Sequence, residues 1–241
     1  SAGAFINMTI WLTRPEAESA RFAAALSVRG IPTIIAPVIR IIERPVTLEN
    51  SDFTAILTTS QHALKSVNNA AIISHLPLFT VGNRSRKAAI DKGFSRAEIL
   101  ATNATSLSAA IAKRYPQPAH FLYLSGRDIR LDLAATLGAH GHRVTRIITY
   151  DAAILPELSP ALLSHWPEIT GVALFSARAT EAVIALMAKH QLTPNAGITA
   201  FCLSDKVAAA LQSHGWKNIR ICPAPSEELL LASISSAKNH P

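Results

Sequence analysis

Residues 10–30, IWLTRPEAESARFAAALSVRG, decide the fold. Ile10 to Thr13 is a short apolar run that fits a buried strand. From Glu16 to Arg29 the apolar Ala20, Ala23, Ala24 and Leu26 recur at helical spacing until Gly30 stops the pattern. Working outward, the same strand-then-helix unit returns. Ala55 to Thr58 precedes a helix from Gln61. Leu78 to Gly82 precedes a helix from Ser85 to Lys92, closed by Gly93, and Glu98 to Ala101 precedes Ser106 to Arg114. Phe121 to Ser125 leads into a helix from Ile129 to His140, closed by Gly141, and Val172 to Phe175 into one running through Lys189. Thr199 to Leu203 then precedes Val207 to His214, and Ile219 to Pro223 precedes Glu227 to Ser235. Strands alternating with helices through short loops imply an α/β chain of parallel sheets covered on both faces.

The units repeat at a near-constant interval of about half the chain. Gly30 and Gly141 end comparable helices, and Thr13 and Ser125 end the strands before them. Ser60 matches Ser176, and Gly93-Phe94 matches Gly215-Trp216. Four units thus occur twice. Thr33 to Ile42 and Val144 to Ile154 break the rhythm, being long, rich in β-branched residues and equivalent in place. If the chain crosses between two domains at both, residues 44–146 form one domain, residues 8–36 join 155–241 in the other, and 37–43 and 147–154 are linkers. A tandem split near Pro116 to Pro118 fits the periodicity equally well.

Composition bounds the function. Of 241 residues 49% are hydrophobic, so a sizeable core is available and disorder is excluded. Two cysteines, Cys202 and Cys222, are too few for a disulfide scaffold and fit no zinc spacing. A reducing, cytoplasmic setting follows. No apolar run reaches the ~18 residues of a membrane span, and residues 1–7 read as an appended leader before Met8. The chain carries 23 Lys and Arg against 16 Asp and Glu, a net +7 that favours an anionic partner. The densest basic patch, Asn83 to Lys87, is short and lacks interleaved aromatics, which argues against nucleic acid.

In open parallel sheets ligands bind beyond the carboxyl ends of the strands. Those positions hold Thr13-Arg14, Ser60-Gln61, Gly82-Asn83-Arg84-Ser85, Ser125-Gly126-Arg127, Ser176-Ala177-Arg178 and Ser204-Asp205-Lys206, with Arg130 close by. Helix capping accounts for each hydroxyl taken alone. Together, two facing rims of amide donors with six cationic side chains suit a ligand bearing many carboxylates. Gly-rich phosphate loops, nucleophile elbows and zinc motifs are absent. The nine histidines are scattered, so no metal or organic cofactor is expected. His62 follows Ser60 and makes a Ser/His pair conceivable, without an acidic orienter. Tyr150 sits in the second long strand, where its hydroxyl can face a cleft and give up a proton.

With these elements placed, the chain resembles the uroporphyrinogen-III synthase family from Ile10 to about Ile234. The resemblance rests on Leu12-Thr13-Arg14-Pro15, Thr59-Ser60-Gln61-His62-Ala63, and Val81-Gly82 with Ser85 in a helix-opening loop. It continues through Leu124-Ser125-Gly126 with Arg130, the Val144 to Tyr150 strand, Phe175-Ser176, and Ser204-Asp205-Lys206 before Gly215-Trp216. It implies two flavodoxin-like parallel-sheet domains joined by a two-stranded β-ladder, which selects the interleaved split. It implies a monomer without cofactor that cyclises hydroxymethylbilane, a linear tetrapyrrole with eight carboxylates, in haem, sirohaem and cobalamin biosynthesis. Residue by residue, it makes Tyr150 the proton donor and sets Ser85 where many members have threonine. The substrate-binding set becomes Thr13, Arg14, Ser60, Gln61, Gly82, Asn83, Arg84, Gly126, Arg127, Arg130, Ser176, Ala177, Ser204 and Lys206. Ser204-Asp205-Lys206-Val207 departs from the family's glycine followed by hydroxyls. The rival reading is a non-enzymatic two-domain α/β module that binds a small molecule.

Overall fold

The computed structural model describes residues 8–49, 52–194 and 196–239. The supposed leader, residues 1–7, lies outside them. Strand β1 (Thr9–Leu12) is followed by helix α1 (Glu16–Ser27), whose first turn carries Glu16 and Glu18 against the positive end of the helix dipole. Gly30, at φ 63°, ends it in the left-handed conformation that glycine adopts without strain. β2 (Thr33–Ile35) and β3 (Ile39–Glu43) follow. They were expected as one strand. Pro37 between them has no N–H for a ladder, and the carbonyl of Ala36 is taken by the Trp11 indole at 2.7 Å.

The chain continues through β4 (Ala55–Thr58), β5 (Leu78–Val81), α2 (Gly82–Asp91), β6 (Ala97–Ala101) and α3 (Ala104–Arg114). Next come β7 (His120–Gly126), α4 (Leu133–Gly138) and β8 (Arg143–Ile154). It closes with α5 (Pro160–Ser164), β9 (Ile169–Leu174), α6 (Ala177–Lys189), β10 (Thr199–Cys202), α7 (Asp205–Ala208), β11 (Asn218–Ile221) and α8 (Glu227–Asn239). Contacts divide the chain into two compact units, Ser1–Arg40 with Ala153–Pro241, and Ile41–Ala152.

In the first unit the sheet order is β11-β10-β9-β1-β2, all parallel. Counted from its own first strand this is 2-1-3-4-5, the flavodoxin order. Its core joins Ile10, Leu12, Phe22, Leu26, Phe201, Leu230 and Ile234. Gly171 of β9 has no room for a side chain, since a Cβ there would stand 2.6 Å from Ile10 and 2.8 Å from Phe201.

In the second unit the order is β3-β8-β7-β4-β5-β6, with β8 through β6 parallel. Counted from β4, its parallel part runs 3-2-1-4-5, so the expectation of two flavodoxin-like sheets holds only for the first unit. Ile56 and Leu122 face one layer, Leu57 and Phe121 the other, as alternation along a strand buried on both faces requires. Each such side chain, wholly removed from water, contributes about 1.5–3 kcal/mol.

Three expected helices differ. The segment from Gln61 is a run of turns, because its backbone serves another partner. Val46 N–H donates to Ser66 and Asn68 N–H to Val46, while the Asn69 amide holds Leu48 from both sides. The helix expected from Ile129 starts at Leu133, where the Asp132 carboxylate accepts from Ala135 N–H at 3.0 Å. The helix expected over Val207 to His214 is α7 followed by 3-10 turns, Ala209–His214. The Thr180 hydroxyl takes the Val207 carbonyl at 2.9 Å, which withdraws it from the α ladder. Among the described residues no helix is long and apolar enough to cross a membrane.

Candidate active site

Each sheet has one place where the strand order reverses and two neighbouring loops diverge, leaving a crevice at the strands' carboxyl ends. In the first unit it lies between β1 and β9, in the second between β4 and β7.

At the first reversal the polar groups are already engaged. Thr13, fully buried, donates from Oγ1 to Ala173 O at 2.8 Å. Arg14 pairs with Glu227 and lies 4.5 Å over the Phe175 ring. Ser176 caps α6 by accepting from Ala179 N–H at 3.1 Å, with Ala177 as the first helical residue. Ser204 precedes α7 without a side-chain cap bond, and Lys206 is exposed.

At the second reversal Ser60 and Gln61 follow β4, and Gly126 and Arg127 end β7. Tyr150 of β8 reaches the same spot. Its register is the reason. Ser125 pairs with Ile148 but Gly126 with Tyr150, so β8 has one extra residue, Thr149. Strict alternation would turn Tyr150 away from Ile147. The bulge turns it to the same side, and both pack against the layer of Ile56, Leu122 and Leu124.

There the Tyr150 hydroxyl donates to Ser60 Oγ at 2.9 Å, which also accepts from His62 N–H at 3.2 Å. The His62 ring stands edge-on, 5.6 Å away between centroids. Ser60 Oγ thus faces Tyr150, and the Ser/His pair gives way to a Ser/Tyr pair. Burial pushes the Tyr150 hydroxyl above its usual range. The Ser60 hydrogen bond works against that push, while Tyr123 and Asp128 add to it. The phenol is therefore protonated at neutral pH.

The loop under the ring is braced by groups that sequence reasoning missed. Arg146 donates to Ser125 Oγ and to Gly126 O, both at 2.8 Å, and to Arg127 O at 2.7 Å. Asp151 accepts from Arg44 at 2.5 Å and Arg127 at 2.8 Å. Partial desolvation of its carboxylate acts upward, but the two guanidinium groups together hold it below the ordinary range. The signal for Arg146 was a lone charge inside a β-branched strand. Glu227 gave no sequence signal of its own.

The remaining expected residues lie apart from Tyr150's immediate contacts. Gly82, Asn83 and Arg84 are in the first turn of α2, and Arg130 is exposed in the loop before α4. Ser85, expected in a helix-opening loop, lies inside α2 and is 5% exposed. Among the described residues no His, Cys, Asp or Glu cluster could hold a metal ion.

The uroporphyrinogen-III synthase HemD family model (HEM4) matches residues 20–232. The chain belongs to the uroporphyrinogen-III synthase family. No curated protein matches it significantly. In fold it is similar to the uroporphyrinogen-III synthetase crystal structure from Helicobacter pylori 26695, with TM-score 0.65 and 18% identity over 95% of this chain and 99% of that one. It is also similar to a mutant uroporphyrinogen III synthase from the extremely thermophilic bacterium Thermus thermophilus, with TM-score 0.54 and 16% identity over 97% and 100%. These likenesses carry the mixed α/β fold with parallel-dominated sheets. The family carries the chemistry, cyclisation of hydroxymethylbilane in tetrapyrrole biosynthesis.

Proposed function

We propose that Tyr150 is the proton donor with which this chain cyclises hydroxymethylbilane to uroporphyrinogen III. The observation that carries the proposal is the seating of a protonated, half-buried phenol at the β4/β7 strand reversal. Its proton goes to the oxygen of the substrate's terminal hydroxymethyl group. The C–O bond breaks and its electron pair leaves with water, while the pyrrole nitrogen supplies electrons and the ring becomes an azafulvene. Closure through a spiro intermediate inverts the last pyrrole, and the proton lost on closure balances the one donated. An electron-rich pyrrole expels hydroxide readily, so orientation and a placed dipole supply most of the catalysis. Ser85 is shielded inside α2, and the donor role falls to Tyr150 alone.

The loop groups of each unit, Thr13, Arg14, Ser176, Ala177, Ser204 and Lys206 in one and Ser60, Gln61, Gly82, Asn83, Arg84, Gly126, Arg127 and Arg130 in the other, form the proposed carboxylate-binding set. Backbone N–H groups and cations are the chemistry a polycarboxylate needs. The excess basic charge is then accounted for by the substrate, and the chain is taken to act as a cytoplasmic monomer without nucleic acid.

The two units are proposed as domains joined by a two-stranded ladder over residues 37–43 and 147–154. Support comes from Leu155 N–H donating to Val38 O at 2.9 Å and Arg44 N–H to Thr149 O at 2.8 Å. The two pairs have the same sum of residue numbers, the mark of antiparallel strands. Purified protein given fresh hydroxymethylbilane should form the type III isomer. Type I alone, at the spontaneous rate, would overturn the assignment.

A further inference from the structure

Tyr150 is held more closely than packing requires. A Cβ on Gly126 would stand 2.5 Å from Tyr150 Cζ and 2.8 Å from both Cε2 and the hydroxyl oxygen, closer than side chains tolerate. Gly126 is not in a left-handed conformation. What requires glycine there is the ring lying directly on its Cα, the close approach for which strands use glycine. The Gly126 backbone cannot simply retreat, because Arg146 holds the Gly126 and Arg127 carbonyls and Arg127 N–H donates to Tyr150 O at 3.0 Å. With the ring resting on this ledge, the hydroxyl is directed onto Ser60 Oγ at 2.9 Å.

We propose that Gly126 and Ser60 are positioning residues for the cyclisation, Gly126 as the ledge that aims the Tyr150 ring and Ser60 as the partner that carries its phenolate. The proposal rests on Tyr150 being the proton donor. Before reaction Ser60 Oγ accepts from Tyr150. When the Tyr150 O–H bond breaks and its proton passes to the departing hydroxyl, the Ser60 hydroxyl turns and donates to the phenolate oxygen. Ring closure releases one proton, which returns to the phenolate, so no other acid or base is consumed. A hydrogen bond to the charged form strengthens the acid, in line with the downward influence of Ser60 on the phenol. Ser60 and Gly126 therefore act through Tyr150, apart from any contact they make with carboxylates.

Two measurements on the full chain test this. The first is the ultraviolet titration of tyrosinate, differenced against Tyr150→Phe to isolate Tyr150 from Tyr115 and Tyr123. Ser60→Ala should raise its midpoint by about one pH unit and Ser60→Thr should restore it. The second is turnover. Ser60→Ala should lower kcat about 10-fold and Gly126→Ala about 10- to 100-fold, with KM little changed. Neither should slow Tyr150→Phe further, because groups acting through one hydroxyl are not additive. An unmoved titration in Ser60→Ala, or losses that multiply with Tyr150→Phe, would overturn the proposal. If Gly126→Ala does not fold, the Ser60 pair still decides it. If Tyr150→Phe keeps full turnover the donor reading falls and this positioning role with it, whereas unaltered chemistry in Ser60→Ala beside a crippled Tyr150→Phe removes only the positioning role.

Discussion

After β1 and β9 the first unit places Thr13, Arg14 and Ser176 at its strand reversal. After β4 and β7 the second places Ser60, Gln61, Gly126 and Arg127. The residue types are alike and their engagement is opposite. In the first unit the Thr13 hydroxyl is bonded inside the sheet, Arg14 is matched by Glu227, and Ser176 closes the first turn of α6. In the second, Ser60 is turned to Tyr150, which only the bulge in β8 brings to that face. A strand reversal thus supplies a crevice. What stands in it is decided by neighbouring strands.

The largest break in this comparison comes from removing one oxygen. Tyr150→Phe deletes the donor and leaves the ring on its ledge. We expect kcat to fall by about 10²–10⁴-fold, the usual contribution of a placed general acid, with melting little changed. Unchanged turnover would make the two reversals equivalent again.

Gly171→Ala is the matched experiment on the first unit. Its Cβ would meet Ile10 and Phe201, as a Cβ at Gly126 would meet Tyr150. Overpacking of this kind costs about 1–3 kcal/mol. Hydrogen exchange should show faster opening in β1, β9 and β10, with β4, β5 and β7 protected as before. A loss shared equally by both groups of strands would overturn the division into two domains. The two glycines then differ in kind, since one protects a fold and the other an aim.

The strand positions were legible because a parallel sheet buried on both faces demands continuous apolar runs. Ala55 to Thr58 was read to the residue, and β7 to within one at each end. Helices were less legible where a side chain elsewhere claimed their backbone. Nothing near Val207 in the chain announces that Thr180 will take its carbonyl, and nothing near Gln61 announces Val46. The site shows the same limit. The resemblance pointed to Tyr150, but the bulge at Thr149 that aims it is a property of pairing, and the Gly126 ledge exists only when β7 lies beside β8. Arg14 looked available because Glu227, its partner, is far along the sequence.

The smallest effect separates the units by pH. His142, which is 6% exposed, accepts from Ala119 N–H at Nδ1 and packs edge-on against Phe121. Burial, and after it the charge of His140, lowers its pKa below the ordinary 6.5. The folded chain therefore holds it neutral where the unfolded chain already takes up a proton. Since the unfolded state binds more protons in that window, stability falls as pH drops below 6.5 and is fully present above it. The carboxylate of Asp151 is shifted the other way from a value near 3.8, so its stabilising contribution is intact throughout this window. Hydrogen exchange in β7 and β8 should quicken on mild acidification while β1 and β9 keep their protection. His142→Gln, which retains an acceptor and does not titrate, should flatten that response. The same acid sensitivity in His142→Gln as in the parent would show that the second unit's response lies in another group.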